Sequence, residues 1–215
     1  WAPQNCIRER SPLAEKLFSA KERFLSLRVA DSFGKYALSQ LRRIKTHRRW
    51  LLEPPKAQPQ REEFNLPGKP VFSSDQIGAA ESLIESGKLS NADLPPNFML
   101  ILDRERSYRA AIKEWQQFQT WQKERNPARA KLEKEFGYDT KHALHLVRLL
   151  RMALEILISG EVIVRRPDRE ELLAIKQGTW KFDKLIEYAE TMNQKILGAR
   201  KSSSLPEFPD NEGVN

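Results

Sequence analysis

The sequence predicts a mainly α-helical fold, a helical bundle-like domain with one short extended segment near residues 162–164. Two observations carry this prediction. Apolar residues recur at helical spacing in the long stretches, and helix-capping residues stand where those stretches begin and end. With 215 residues, the chain can bury a real core as one sizeable domain or as two small ones.

The N-terminal region, residues 1–52, is predicted to consist of helices. Ser11 is followed by proline and is a good helix start, and Ser19 with Glu22 offers a second capping box. A long helix is then expected from about Val29 to Leu52. Its buried face is predicted to carry Phe33, Ala37, Leu41 and Ile44.

The remainder of the chain is predicted to form a connector, a helical domain and a tail. Residues 53–73 contain five prolines and are expected to be a surface connector. Residues 74–200 then form a helical domain, and the polar residues 201–215 form a disordered tail.

Three helices are predicted in the first part of that domain. Ser73 and Gln76 cap the first, which is closed by Gly87. The second covers Arg104–Lys123, and the third, a short basic helix, begins after Asn126 and a proline. Aromatic and aliphatic residues recur along the second helix at helical spacing, namely Tyr108, Ile112, Trp115 and Phe118.

A strongly amphipathic helix is predicted over residues 139–158. Asp139 is a good N-cap, and Gly160 can adopt the left-handed conformation that ends a helix. One side of the helical wheel carries Ala143, Leu146, Val147, Leu150, Ala153, Leu154 and Leu157. The opposite side carries Lys141, His145, Arg148, Met152 and Glu155.

A short strand and two further helices are predicted after this amphipathic helix. Residues 162–164 are expected to be the extended segment. Asp168 and Glu171 then begin the next helix as a capping box, and Gly178 ends it. The last helix is predicted over Phe182–Leu197.

Composition limits the classes of function. Thirty-seven basic and 29 acidic residues give a net charge of +8, which favours polyanionic partners. The single cysteine, Cys6, excludes a disulfide framework and a cysteine zinc site, and it is typical of a reducing cytoplasm. The longest apolar run, Phe98–Leu102, is far too short to span a membrane.

Two sets of cations are candidate binding residues. The first is Lys141, His142, His145 and Arg148, predicted to bind phosphate because Glu155 is the sole acid between Asp139 and Glu161. A solvated helix face is the alternative explanation. The second set is predicted to bind nucleic acid, with merely solvated cations as the alternative, and consists of Arg42, Arg43, Lys45, Arg48 and Arg49.

Three smaller features have competing explanations. Trp50 follows the second cation set and could stack on a base or pack in the core. Arg42 and His47 have the Arg-x4-6-His spacing of a class of helical ribonucleases. Asp103 and Glu105 could form a metal-binding pair or simply begin the following helix.

The stretch from Gly137 to Gly178, GYDTKHALHLVRLLRMALEILISGEVIVRRPDREELLAIKQG, resembles the C-terminal region of predicted nucleotidyltransferases of the DNA polymerase β superfamily. Residues 32–37, 40–50, 61–67 and 108–129 resemble the same family in the same order, so that the resemblance covers roughly residues 11–195. It implies transfer of a nucleotide from a nucleoside triphosphate to an acceptor, for which we expect RNA. The alternative function is that of a non-catalytic helical RNA-binding module. The third possible function is that of a helical ribonuclease that uses Arg42 and His47.

The catalytic motif of that superfamily is missing from the sequence. These enzymes use a Gly-Ser turn and an Asp-x-Asp pair to place the triphosphate and Mg²⁺, and neither occurs in this chain. The resemblance therefore implies that Mg²⁺ is bound by an N-terminal catalytic domain outside the sequence. Because the chain begins with Trp1, we expect it to be a fragment that works with that domain, with no metal ligands of its own.

Overall fold

A computed structural model describes residues 11–90 and 95–210, and these parts of the chain are mainly helical with no β-strand. The α-helices are α1 (Pro12–Ser19), α2 (Lys35–Leu52), α3 (Ser74–Glu85), α4 (Pro96–Glu124), α5 (Pro127–Phe136), α6 (Thr140–Ser159), α7 (Arg169–Lys176) and α8 (Phe182–Ser202). Short 3₁₀ turns cover Lys21–Phe24 and Arg61–Phe64, and a π-helical turn covers Ala30–Gly34 directly before α2. The mainly helical fold class is confirmed.

The chain divides into two compact units. One combines Trp1–Leu52 with Asn126–Asn215, and the other is Glu53–Arg125. This differs from the predicted order of connector and helical domain, because residues 53–73 belong with α3 and α4. Contacts between residues distant in sequence set this division, and helical periodicity alone does not reveal them.

In the first unit, α6 is the central helix and packs against α2, α7 and α8. Its buried residues are Thr140, Ala143, Leu146, Val147, Leu150, Ala153, Ile156 and Leu157. Each large aliphatic side chain buried in this way contributes about 1.5–3 kcal/mol through removal of apolar surface from water. The predicted apolar face is confirmed except at Leu154, which is half-buried. Ile156 is buried as well, although the prediction does not place it on that face.

Both predicted ends of α6 are confirmed. Asp139 Oδ1 accepts a hydrogen bond of 2.9 Å from the backbone N–H of His142, as an N-cap carboxylate should. At the other end, Gly160 has a φ of 68°, in the left-handed region that glycine adopts without strain.

Near the N-terminus, one predicted cap is confirmed and another is wrong. Ser11 Oγ accepts from the N–H of Ala14 and caps α1. Ser19 instead donates back to the carbonyl of Lys16, so the capping box with Glu22 does not form. The long helix predicted from about Val29 to Leu52 is confirmed, with the π-helical turn as its first part.

The short strand predicted at residues 162–164 is absent, since residues 161–164 pair with no other segment and belong to no helix. Ion pairs hold the loop that follows α6 in place. Arg166 donates to both carboxylate oxygens of Glu155 and to Asp168. Asp168 also accepts from Arg151 at 2.7 Å. The Asp168 side chain therefore binds arginines and does not cap α7, which corrects the predicted capping box with Glu171.

The polar tail predicted at 201–215 is ordered as far as the structure describes it. Helix α8 continues to Ser202, and Ser203 Oγ donates to the carbonyl of Leu157 at 2.6 Å. The tail also pairs with the N-terminal region, because Leu27 N–H donates to the carbonyl of Pro206 at 2.8 Å. Residues 211–215 lie outside the described residues.

In the second unit, the segment Arg61–Phe64 packs against α4. The Arg61 guanidinium forms two hydrogen bonds with Glu105, which is 3% exposed, and lies 5.2 Å from the ring centroid of Tyr108. Arg61 Nε also donates to the carbonyl of Pro67 at 2.8 Å. These contacts tie the 61–67 stretch to α4, so Arg61 is a structural residue.

Helices α3 and α4 differ in how well their ends were predicted. The capping box of Ser73 and Gln76 is confirmed by reciprocal hydrogen bonds, and Gly87 has a positive φ of 68°. Helix α4, however, begins at Pro96, eight residues before the predicted start at Arg104. Proline is well suited to the first position of a helix, where its missing N–H costs nothing.

Candidate phosphate-binding site

The phosphate-binding residues predicted from the sequence lie along the N-terminal half of α6. Lys141 is exposed, whereas His142, His145 and Arg148 are partly buried. Arg148 Nη2 lies 3.4 Å from Nδ1 of His145, one turn apart on the helix. The structure thus brings His145 and Arg148 together, and the exposed Lys141 lies one turn before His145.

Asp139 is the acidic residue of this region and is only 3% exposed. His142 Nδ1 lies 2.7 Å from Asp139 Oδ2 in an ion-pair contact that is not aligned as a hydrogen bond, and Arg129 Nη1 lies 3.9 Å from the same oxygen. Burial acts to raise the pKa of Asp139, but the interactions with His142 and Arg129 outweigh it and lower that pKa to about 2. Asp139 is therefore a carboxylate that holds His142 and caps α6.

Further along the helix, the cations are not neutralised. Burial, followed by the positive charges of Arg148, His142, Lys141 and Arg129, lowers the pKa of the His145 imidazole. In addition, the buried Nε of Arg148 has no hydrogen-bond partner among the described residues. A buried donor without a partner is costly, and a bound anion would satisfy it.

Arg129 is a member of this cluster that the sequence analysis did not single out. It lies in the first turn of α5, where Asn126 Oδ1 accepts from the N–H groups of Ala128 and Arg129. The cap at Asn126 predicts the helix but not that its first turn faces Asp139. The turn at Gly137, with a φ of 77°, joins α5 to α6, and the side chain of Arg129 reaches Asp139 across this connection.

The second predicted set of cations, Arg42 to Arg49 on α2, separates into structural and exposed residues. Arg48 Nη1 donates to the carbonyl of Gly137 at 2.9 Å, and its guanidinium lies 4.4 Å from the ring centroid of Phe182. Arg48 thus serves packing and is not available as a nucleic-acid contact in this conformation. The four exposed members are Arg42, Arg43, Lys45 and Arg49, of which Lys45 lies 3.7 Å from Glu190.

The structure places Trp50 in the core, which agrees with the packing alternative and not with base stacking. Trp50 is 5% exposed and stacks on His47, with ring centroids 5.5 Å apart. His47 is itself buried and its ring meets the edge of His142 at 6.4 Å. Arg42 is exposed, so the structure does not bring together the Arg42 and His47 pair proposed for a ribonuclease.

The described residues do not fit a Mg²⁺ site. Glu105 is bound by Arg61, and Asp103 lies 3.6 Å from Arg106, so the two carboxylates do not converge on a common point. Over residues 11–90 and 95–210 there is no cluster of three or more His, Cys, Asp or Glu side chains able to hold a metal ion. We therefore derive no step through a metal bound by this part of the chain.

Comparisons with family models, with curated proteins and with solved structures find no match to this chain. The resemblance to nucleotidyltransferases consequently remains a prediction from the motifs. In the described part of the chain, none of the helices has both the length and the apolar character needed to cross a bilayer.

Proposed function

We propose that this chain is the C-terminal helical part of a cytoplasmic nucleotidyltransferase that transfers a nucleotide from a nucleoside triphosphate to an acceptor, which we expect to be RNA. Its own contribution is to bind phosphate groups along the first half of α6. The observation that supports this proposal best is the buried, unpartnered Nε of Arg148 beside His145, within a cluster of cations.

The proposed binding step uses three side chains with different properties. Arg148 presents a planar guanidinium that can donate two parallel hydrogen bonds to one phosphate. The surroundings of His145 lower its pKa and so favour the neutral imidazole, whereas an arriving phosphate dianion favours its protonation. Lys141 is exposed at the start of the helix and adds a mobile positive charge, reinforced by the helix dipole.

His142 has a different part in the proposal. The contact between its Nδ1 and Asp139 fixes the orientation of the ring at the edge of the site. The carboxylates that bind Mg²⁺ for nucleotidyl transfer are assigned to an N-terminal catalytic domain outside this sequence. This chain would close the cleft of that domain and steady the triphosphate or the acceptor phosphates.

A direct test measures the binding of ATP to this chain by isothermal titration calorimetry without metal. Replacing Arg148 with alanine should weaken ATP binding by about 10-fold to 100-fold, because hydrogen bonds to charged groups contribute about 1.5–3 kcal/mol. The matched control is Lys195→Ala on α8, which removes one exposed charge distant in sequence from α6 and should change the affinity less than about 2-fold. Inorganic tripolyphosphate should compete with ATP, whereas adenosine should not.

Thermal melts of the variants separate binding from folding. Arg148→Ala should lower the free energy of unfolding by no more than about 0.5 kcal/mol, because the partly buried Arg148 gives up no ion pair and its buried Nε has no hydrogen-bond partner among the described residues. If Arg148→Ala unfolds the protein, Arg148 is a structural residue. If it melts normally and binds ATP as well as the wild type does, the proposed phosphate role is wrong. The chain alone, given Mg²⁺, labelled nucleotides and RNA, should label no acceptor, and robust labelling would contradict the assignment of catalysis to another domain.

A further inference from the structure

We infer that the outer face of α2 binds single-stranded nucleic acid, with Tyr36 as the base-stacking residue and Arg42 and Arg43 as the phosphate contacts. Tyr36 is 56% exposed, unlike Trp50 on the same helix, which is buried. Both arginines are also exposed. We define Tyr36, Ser39, Arg42 and Arg43 as the α2 outer face.

Helix geometry places Tyr36, Ser39 and Arg43 within an arc of about 60°, and Arg42 lies about 60° beyond Ser39 at the edge of this face. At about 100° per residue, Arg43 lies within about 20° of Tyr36 and two turns, or about 10 Å, further along the axis. Ser39 is exposed between them, and its hydroxyl donates to the carbonyl of Tyr36 at 2.7 Å. The small side chain of Ser39 thus separates the aromatic ring from the arginines on the exposed side of α2.

The charge on this face is complementary to a polyanion. No acidic residue occurs from Ser32 through Leu52, and the nearest acid before this stretch, Asp31, pairs with Lys35 at 3.4 Å. Within the described part of the chain, Arg42 and Arg43 form no ion pair. Positive charges left without acidic neighbours attract a phosphate backbone, with release of its counterions.

The exposed ring distinguishes single strands from other polyanions. A tyrosine can stack only on a base that is free of its partner, so this arrangement favours a single strand over a duplex. An acidic peptide has no flat group to cover the ring. A membrane surface would require several apolar side chains around the cations, and the α2 outer face has only Tyr36.

If the bound strand is the acceptor of the transferred nucleotide, this inference identifies where the proposed enzyme binds its acceptor. The binding of the strand itself does not depend on nucleotidyl transfer. Strand binding involves α2, whereas ATP binding was assigned to α6. A variant of the α2 outer face should therefore lose strand binding and keep ATP binding, so the failure of one proposal can be told from the failure of the other.

The test measures fluorescence anisotropy of a labelled twelve-nucleotide uridine strand with the whole chain. Tyr36→Leu should weaken binding by about 5-fold to 100-fold, because base stacking contributes about 1–3 kcal/mol per base. Tyr36→Phe keeps the ring and should bind within about 2-fold of the wild type. Arg43→Gln should reduce the slope of log affinity against log salt by about 0.7, the value expected for one phosphate contact on a single strand.

The matched control is Lys195→Gln, which removes one exposed positive charge from α8. Lys195 belongs to neither proposed binding set, so its loss should leave the salt slope unchanged. Equal effects of Lys195→Gln and Arg43→Gln would overturn the inference, since only net charge would then matter. Equal affinity for the uridine strand and its duplex, full competition by polyglutamate, or no binding at about 50 mM salt would also overturn it.

Discussion

The two halves of α6 carry arginines in opposite electrostatic situations. In the second half, Arg151 binds Asp168 and Glu171, each at 2.7 Å, and also donates to the Tyr188 hydroxyl. In the first half, Arg148 Nη2 lies 3.4 Å from the ring nitrogen of His145, and the buried Nε of Arg148 has no partner in the part of the chain that the structure describes. Arg151 is therefore neutralised by carboxylates of its own fold, whereas no carboxylate pairs with Arg148 in the described part of the chain.

This difference separates structural cations from candidate ligand-binding ones. Arginines that are already bonded to carboxylates stabilise the loop between α6 and α7, and they have few donors left for a ligand. An arginine with an unused donor beside other cations gains more from an arriving phosphate than from any group of the chain. The contrast predicts that mutations in the second half affect folding, whereas those at the first-half cations affect binding.

The largest expected effect concerns the core that both halves share. Leu150 is 1% exposed, so Leu150→Ala should lower the free energy of unfolding by about 2–5 kcal/mol through lost burial and a cavity. Ile158→Ala is the matched control, because Ile158 is 71% exposed on the same helix and should cost less than about 0.5 kcal/mol. Urea denaturation measures both, and similar costs would show that α6 does not pack as described.

The second effect tests the neutralised half. Asp168→Asn should cost about 1–3 kcal/mol, because it removes the carboxylate that binds both Arg151 and Arg166. Arg151 then keeps only Glu171, and Arg166 keeps only Glu155, as charged partners among the described residues. Burial acts to raise the pKa of Asp168, but hydrogen bonds from the two arginines lower it to about 2 from an ordinary 3.8. Its stabilisation is thus present above about pH 4 and is lost as the pH falls towards 2.

Acid titration of stability gives an independent check of this second effect. The wild type should lose more stability than Asp168→Asn between about pH 4 and 2, and ATP affinity at neutral pH should be equal in both. If Asp168→Asn instead abolishes ATP binding while the melt is unchanged, the contrast between the two halves fails.

The smallest expected effect tests the half that is not neutralised. Because the folded protein lowers the pKa of His145 below its ordinary 6.5, the unfolded chain binds a proton more readily. The contribution of His145 should therefore reduce stability as the pH falls below about 6.5, and His145→Gln should remove that part of the pH dependence. Inorganic phosphate should oppose the loss in the wild type, since an anion favours the protonated ring.

Differential scanning fluorimetry at several pH values, with sulfate as a second anion, measures this third effect. Identical pH profiles for the wild type and His145→Gln, with and without phosphate, would mean that the first half of α6 is a solvated face. The comparison between the two halves would then describe structure alone and not a binding site.

The sequence predicted α6 well because its signals are local. Asp139 and Gly160 act on their own backbone neighbours, and the apolar spacing reports which side of the helix is buried. Arg48 and Asp168 were misjudged because residue types along the chain do not show which side chains meet, and Asp168 binds Arg151 from α6 as well as the neighbouring Arg166. Arg48 bonds to a carbonyl 89 residues away, and a run of cations gives no sign of such a contact. Tyr36 was overlooked because its exposure depends on how α2 packs.

The turn at Gly137 has a consequence for how this sequence can vary. Its φ of 77° already favours glycine, and a Cβ there would stand 2.8 Å from Nη1 of Arg48. Moving Arg48 aside would give up its bond to the Gly137 carbonyl and its contact with Phe182. Among relatives of this chain, we therefore expect a replacement at position 137 only where position 48 has changed as well. The two residues that fix the connection between α5 and α6 should thus vary together.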